Sequence, residues 1–278
     1  MEPQDWRRAR RLASAVTARP RVPPMALPVL WHFTVSHFNE KARWALDFKR
    51  VPHVRRALLP GFHFPKILRM TGQTAVPVLA LDGRPIHDST RIIEALERAF
   101  PEPALYPRNE PGRRRALALE DFFDEEVGHA VRTAIVGPLF AHDPVSAGNV
   151  LTTGMGPGAR RAVRAVLPAF RAFYKLRHGI DDAAIAAAPA RLRAGLDRIV
   201  AELGPSGHLV GDAFSVADLT AAALFSPIVL PPEFPYPPPE PRPRHVLALR
   251  ASLEGHPAFR WVLETYRRYR GTSAAIAG

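Results

Sequence analysis

TGQTAVPVLALDGRPIHDSTRII, residues 71–93, decides how the first third of the chain is read. The pair Val76–Pro77 opens a short apolar strand, Val78 to Leu81. Asp82-Gly83 is a tight-turn dipeptide, a second short strand runs from Arg84 to His87, and Asp88-Ser89 starts a helix over Thr90 to Phe100. X-Pro is the one peptide bond for which cis is cheap, so Pro77 can turn a backbone edge toward a ligand. A helix N-terminus carrying the Ser89 N–H and hydroxyl is a ready carboxylate site. An ordinary hairpin and a capped helix would explain each element singly; the order and spacing of the whole set point to a ligand.

Upstream, PVLWHF at 28–33 reads as a buried strand, and NEKARWALDFK at 39–49 as a helix with Ala42, Ala45 and Leu46 on one face. His53 to Ala57 reads as a second strand, and 58–70 as irregular chain ending in a short helical turn. The order is βαβ followed by ββα, the thioredoxin-like order, over residues 28–100. PEPALYP opens a linker at 101–108, because three prolines in seven residues forbid a continuing helix. Strand signals then stop. Asn109-Glu110-Pro111 begins a helix, and helical spacing covers 112–139 and then about 159–177, 181–203, 215–226, 245–253 and 257–269. Residues 142–158 read as loop. The expected fold is therefore an α/β thioredoxin-like domain followed by an all-α domain over 109–278. PPEFPYPPPEPRPRH, 231–245, reads as polyproline II, a rigid connector over the surface or a docking ligand for an aromatic groove.

Composition narrows the functions. Of 278 residues 47% are hydrophobic, ample for a core, and none is cysteine. Disulfides, thiolate metal sites and a cysteine nucleophile are thereby excluded. The 11 histidines show no H-x3-H pair and no carboxylate company at ligand spacing, so no metal is expected. Glycine-rich phosphate and dinucleotide motifs are absent. The formal charge of +12 invites a nucleic-acid reading, but six arginines fall in residues 1–24 and the rest are dispersed without aromatic interleaving. No nucleic-acid partner is expected. No window of about 18 apolar residues occurs, so no membrane span is expected; Leu219 to Leu230 comes nearest and is broken at Ser226-Pro227. Residues 1–27 read as a basic, disordered extension, of which 1–24 read as dispensable, with Met25 as an alternative start. Few lysines among many Arg, Ala and Pro point to a GC-rich, bacterial genome, and the expected compartment is the cytoplasm.

Two further segments join the first. TVSHFNEKARWAL, 34–46, lies between the first strand and first helix, and GDAFSVAD, 211–218, carries a capping box of Ser215 and Asp218 with Phe214 placed to staple onto Leu219. With residues 71–93 these resemble the glutathione S-transferase family over about 28–270. The resemblance implies that Pro77 is cis, that Val76 offers its backbone to the cysteinyl part of glutathione, and that Asp88 and Ser89 take the γ-glutamyl end. It places Ser36 on the thiol-activating position, with His37 where the family usually has Pro and Asn39 where some relatives have Cys. His63 falls where some relatives hold a cation for the glycine carboxylate. Val131, Arg132 and Tyr106, with His37, are the candidates for the electrophile pocket. Asp218 is implied to serve folding and not chemistry.

The chemistry asks little of the protein. A free thiol has a pKa of about 8.5, and lowering it by about two units needs roughly 2.7 kcal/mol. A hydroxyl donor at a helix N-terminus can supply that. Ser36 could equally be an N-cap alone. Without cysteine, the mixed-disulfide chemistry of some relatives is closed, which leaves conjugation by a thiolate held at Ser36, peroxidase-type turnover, or no catalysis. The leading expectation is a detoxifying transferase that joins glutathione, as co-substrate, to a small hydrophobic electrophile. The alternative is a non-catalytic glutathione-binding or regulatory module of the same fold. A positive field suits an anionic tripeptide, and the reading admits a homodimer.

Overall fold

The structure, a computed structural model, describes residues 26–277; the expected N-terminal extension lies, apart from its last two residues, outside the described residues. Four strands, β1 (Val29–His32), β2 (Val54–Ala57), β3 (Val78–Leu81) and β4 (Arg84–His87), form one sheet in the order β2-β1-β3-β4. β1 runs parallel to β2 and antiparallel to β3, and β3 and β4 form the expected hairpin. Its turn places Asp82 and Gly83 at φ of 50° and 75°, the left-handed geometry that an Asp-Gly turn provides. Helices α1 (His37–Phe48), α2 (Phe64–Thr71) and α3 (Ser89–Ala99) complete this half.

α1 is buried almost all round: ten of its twelve residues are inaccessible. The expected apolar face of Ala42, Ala45 and Leu46 is only half of the account, because α1 packs against α3 on one side and a helix of the second half on the other. Its charges must then be paired in place. Glu40 takes Arg43 at 2.8 Å and Arg270 at 2.5 Å. Asp47 takes Arg55 at 2.5 Å and Arg270 at 2.8 Å. Lys41 takes Glu120 at 2.7 Å and Asp124 at 2.5 Å.

The second half is helical among the described residues. α4 (Glu110–Phe122) starts at Asn109, whose side chain accepts from Gly112 N at 2.7 Å. It widens into a π-helical turn, Phe123–Gly128, before α5 (His129–His142). Part of the expected loop at 142–158 is helix: α6 (Pro144–Leu151) is nucleated by Asp143, whose carboxylate accepts from Ser146 N at 2.9 Å, with Pro144 at a position that needs no N–H. α7 (Pro157–His178) and α8 (Asp182–Glu202) follow, then α9 (Val216–Val229), α10 (Arg244–Leu253) and α11 (Pro257–Tyr269). α9 continues through Ser226-Pro227, where a break was expected. Pro227 cannot donate to the Ala223 carbonyl, and the Ser226 hydroxyl donates to it instead at 2.8 Å.

The capping box of α9 is present, with Asp218 buried and accepting from Leu209 N, Ser215 N and the Ser215 hydroxyl at 2.8–2.9 Å. One apolar core joins the halves, from Leu30, Trp44 and Ile92 to Phe225, Val262 and Tyr266. After α11 the chain returns to the sheet side, where Ala275 bridges to His53. No helix among the described residues is long and apolar enough to cross a membrane.

Candidate active site

The end of β1 and the start of α1 meet a cavity of about 480 Å³ between the two halves. Ser36 is the N-cap of α1 in extended conformation, its hydroxyl accepting from Asn39 N at 3.4 Å. A stronger bond comes from the side chain of Asn39, whose Nδ2 donates to Ser36 Oγ at 2.6 Å. The orientation of that amide is fixed by its other partners, since Oδ1 accepts from Phe33 N at 3.1 Å and Nδ2 also donates to the Val76 carbonyl at 3.3 Å. Asn39 is wholly buried. It ties the Ser36 hydroxyl, the end of β1 and the Val76 backbone together, a role that sequence alone did not assign to it. With Oγ accepting twice, the Ser36 hydrogen is left to donate. Arg43 holds the same loop from behind, through Phe33 O at 2.9 Å and Ser36 O at 3.3 Å.

Val76 lines the cavity and its bond to Pro77 is cis. In the hairpin register Val78 faces His87, so Val76–Pro77 and Asp88–Ser89 lie at the same end of the β3–β4 pair. Asp88 caps α3, accepting from Thr90 N at 3.0 Å and Arg91 N at 3.2 Å. It does so at φ of 76°, a conformation that costs a non-glycine residue and that tends to mark functional sites. Ser89 is buried beside it. Neither residue is among those lining the cavity.

Two histidines sit on the cavity wall as neutral rings. His37 is buried with Nε2 at 2.9 Å from Gly128 O, and burial together with the Arg132 charge brings its pKa down to about 3. His63 is buried with Nε2 at 3.1 Å from Thr74 O, and burial lowers its pKa too. His63 lines the cavity, but the lowered pKa does not favour a charged ring there. Val131 and Arg132, both on α5, line the cavity. Tyr106 does not. Glu97 accepts from the backbone N–H groups of Leu105 and Tyr106 and pairs with Lys49, which pins that segment to the last turn of α3. Tyr106 there stacks with Arg113 at 5.2 Å beside a separate, smaller hollow.

The π-helical turn shapes the floor. Its last residue, Gly128, gives its carbonyl to His37, and a Cβ there would run into the Phe38 ring. Such turns recur at functional sites. The far wall is the proline-rich stretch, which connects α9 to α10 and in doing so also closes the cavity. Pro231, Phe234, Tyr236 and Pro243 line the cavity. Tyr236 reaches across to β1 and α1, at 5.5 Å from His32 and 5.0 Å from the Arg43 guanidinium. A run of prolines announces its backbone conformation, and nothing in it announces this buried guanidinium as the surface it covers.

The arrangement thus has a hydroxyl donor at a helix N-terminus, the Val76–Pro77 backbone beside it, and an apolar chamber in front. Two family models match the chain: the N-terminal domain of glutathione S-transferases over residues 30–104 and the C-terminal domain over residues 182–260. A maleylpyruvate isomerase from Ralstonia sp. is 34% identical over 93 residues, which is 32% of this chain and 44% of that protein, so the match spans less than half of that relative. Among solved structures, a glutathione S-transferase from Rhodospirillum rubrum F11 is 23% identical with a TM-score of 0.52, over 85% of this chain and 92% of its own. The β-etherase LigF from Sphingobium sp. strain SYK-6 is 19% identical with a TM-score of 0.57, over 86% and 99%. The structural likenesses speak to the fold alone. Fold and cleft define a thioredoxin-like domain joined to an all-α domain around a ligand chamber. With the two family models covering more than half of its length, the chain belongs to the glutathione S-transferase family.

Proposed function

We propose that the protein binds glutathione with its sulfur at Ser36 and adds the thiolate to a small apolar electrophile held in the chamber. The observation that carries this is the pair of bonds into Ser36 Oγ from Asn39, which leave the hydroxyl hydrogen free to donate beside the Val76 backbone. In this reading the Val76 edge takes the cysteinyl backbone and the N-terminus of α3, with Asp88 and Ser89, takes the γ-glutamyl end. The Ser36 donor and the α1 dipole favour thiolate over thiol. Neutral His37 and His63 add no competing charge, and the apolar walls keep water from the nucleophile.

Ser36→Ala tests it. Removing a donor whose bond strengthens as charge develops lowers conjugation by about 10²–10³-fold, while the affinity for glutathione barely changes. The thiol pKa in the complex, read from ultraviolet thiolate absorbance against pH, rises in the variant. An alanine variant with unaltered thiol pKa and rate assigns Ser36 to capping alone. A wild type that binds glutathione without lowering its thiol pKa favours a non-catalytic module.

A further inference from the structure

Among the described residues no carboxylate lines the chamber, and three guanidinium groups do: Arg132, Arg177 and Arg242. They differ in what they already hold. Arg242 is paired with Glu240 at 3.0 Å. Arg177 is exposed at the C-terminal end of α7. Arg132 is half-buried on α5, with its guanidinium 5.1 Å from the centre of the Phe38 ring and Nη1 donating to His178 Nδ1 at 3.1 Å. His178 supplies no negative charge, because burial and Arg132 itself bring its pKa down to about 4. Of the three acids of the π-helical turn, Asp124 holds Lys41 and Thr90, Glu125 faces His129 at 3.7 Å, and Glu126 is exposed and makes no ion pair with Arg132. Arg132 thus meets a phenyl face and a neutral imidazole, and no described carboxylate pairs with it.

A half-buried cation in an apolar chamber without an anion is costly, and a ligand that brings the anion recovers that cost. We infer that the second substrate is an apolar molecule carrying one anionic group, a carboxylate or sulfonate, and that Arg132 holds that group at the Phe38 end of the chamber. This rests on the transferase reading for the word substrate. The remaining wall, from Phe140 and Phe170 to Phe234, takes the apolar body. Arg132 is then the specificity-determining residue. A neutral analogue leaves its charge unpaired, and discrimination against ligands that leave buried polar groups unpaired is the steep kind.

The test compares two dyes of one scaffold, 1-anilinonaphthalene-8-sulfonate and uncharged N-phenyl-1-naphthylamine, both of which fluoresce in apolar surroundings. Hydrophobic transfer alone favours the uncharged dye, so a preference for the sulfonate requires a cation. We expect the sulfonate to bind at least about tenfold more tightly, a difference of about 1.4 kcal/mol. Arg132→Met removes the preference and Arg132→Lys keeps most of it; Arg132→Gln serves as the uncharged variant if Met disturbs folding. Equal or weaker binding of the sulfonate by the wild type, or an undiminished preference in the uncharged variants, overturns the inference. Neither dye needs a thiol, so the two readings fail separately. A protein that lowers the pKa of bound glutathione but shows no sulfonate preference loses only the anion site. One that keeps the preference but binds no glutathione loses only the transferase reading.

Discussion

At the residue scale the most telling side chain is Asn39. Its amide satisfies Phe33 N–H, Ser36 Oγ and the Val76 carbonyl at once, so it sets where the hydroxyl hydrogen points and where the strand edge stands. Asn39→Ala removes the partners of two part-buried groups, the Phe33 N–H and the Val76 carbonyl, at a combined cost of about 1–3 kcal/mol. We expect a stability loss in that range by urea denaturation. Conjugation should fall further than stability explains, because Ser36 is then free to rotate. A variant as active as the wild type would separate Asn39 from the thiol site. Position 39 could be suspected from sequence because it stands where some relatives place cysteine. Its function could not be read there, since its Val76 partner lies 37 residues further along the chain.

At the element scale the π-helical turn is the device that fits the helical half onto the β1–α1 loop. Gly128 both receives His37 and lies flush under Phe38. Gly128→Ala forces the ring aside at an overpacking cost of about 1–3 kcal/mol. Adding Phe38→Ala to that variant should recover part of the loss, a coupling that a double-mutant cycle on chemical denaturation measures. Strictly additive losses would mean that the two do not touch. Elements with local causes were legible in the sequence: the hairpin from Asp82-Gly83, the capping box from Ser215 and Asp218, the cap at Asn109. The misread elements have causes remote in the chain or small in scale. The Ser226 hydroxyl repairs the helix at Pro227, Asp143 starts a helix in a glycine-containing stretch, and the 231–243 wall takes its place from Arg43 and His32. Tyr106 was misplaced for the same reason, since Glu97 decides where that backbone goes.

At the scale of the whole molecule, the buried charges of α1 make stability depend on distant arginines and on pH. Arg270→Met leaves Glu40 without one partner and Asp47 without one of two. Breaking a buried pair from one side costs about 3–5 kcal/mol, which thermal or urea unfolding reads directly. The histidines set the acid side. His32, brought down to about 2 by burial and by Arg43, and His37, down to about 3, are neutral when folded. Both bind protons at ordinary pH values, near 6.5, when unfolded. Their folded pKa is depressed, so the unfolded state binds more protons below about 6.5, and the stability they contribute is full above that value and lost as pH falls. At pH 5 the loss is about 2 kcal/mol for each. We expect the melting temperature to drop clearly between pH 7.5 and 5, with a shallower drop in His32→Gln. A flat profile over that interval would mean that both rings are protonated in the fold.

The return of the chain after α11 has a consequence for synthesis. Arg270 reaches Glu40 and Asp47, the backbone N–H of Ala274 donates to Asp47 at 2.8 Å, and that of Ile276 donates to His53 at 2.9 Å. Some 230 residues separate these partners in the chain. As the polypeptide emerges from the ribosome N-terminus first, at about 5–20 residues per second, α1 waits on the order of ten seconds or more for Arg270, the second cation of both Glu40 and Asp47. During that interval the acids of the helix that anchors the Ser36 loop have only Arg43 and Arg55 as partners. The Ser36 loop therefore gains its full set of supports only after residues 270–276 have been made, however early its own sequence was.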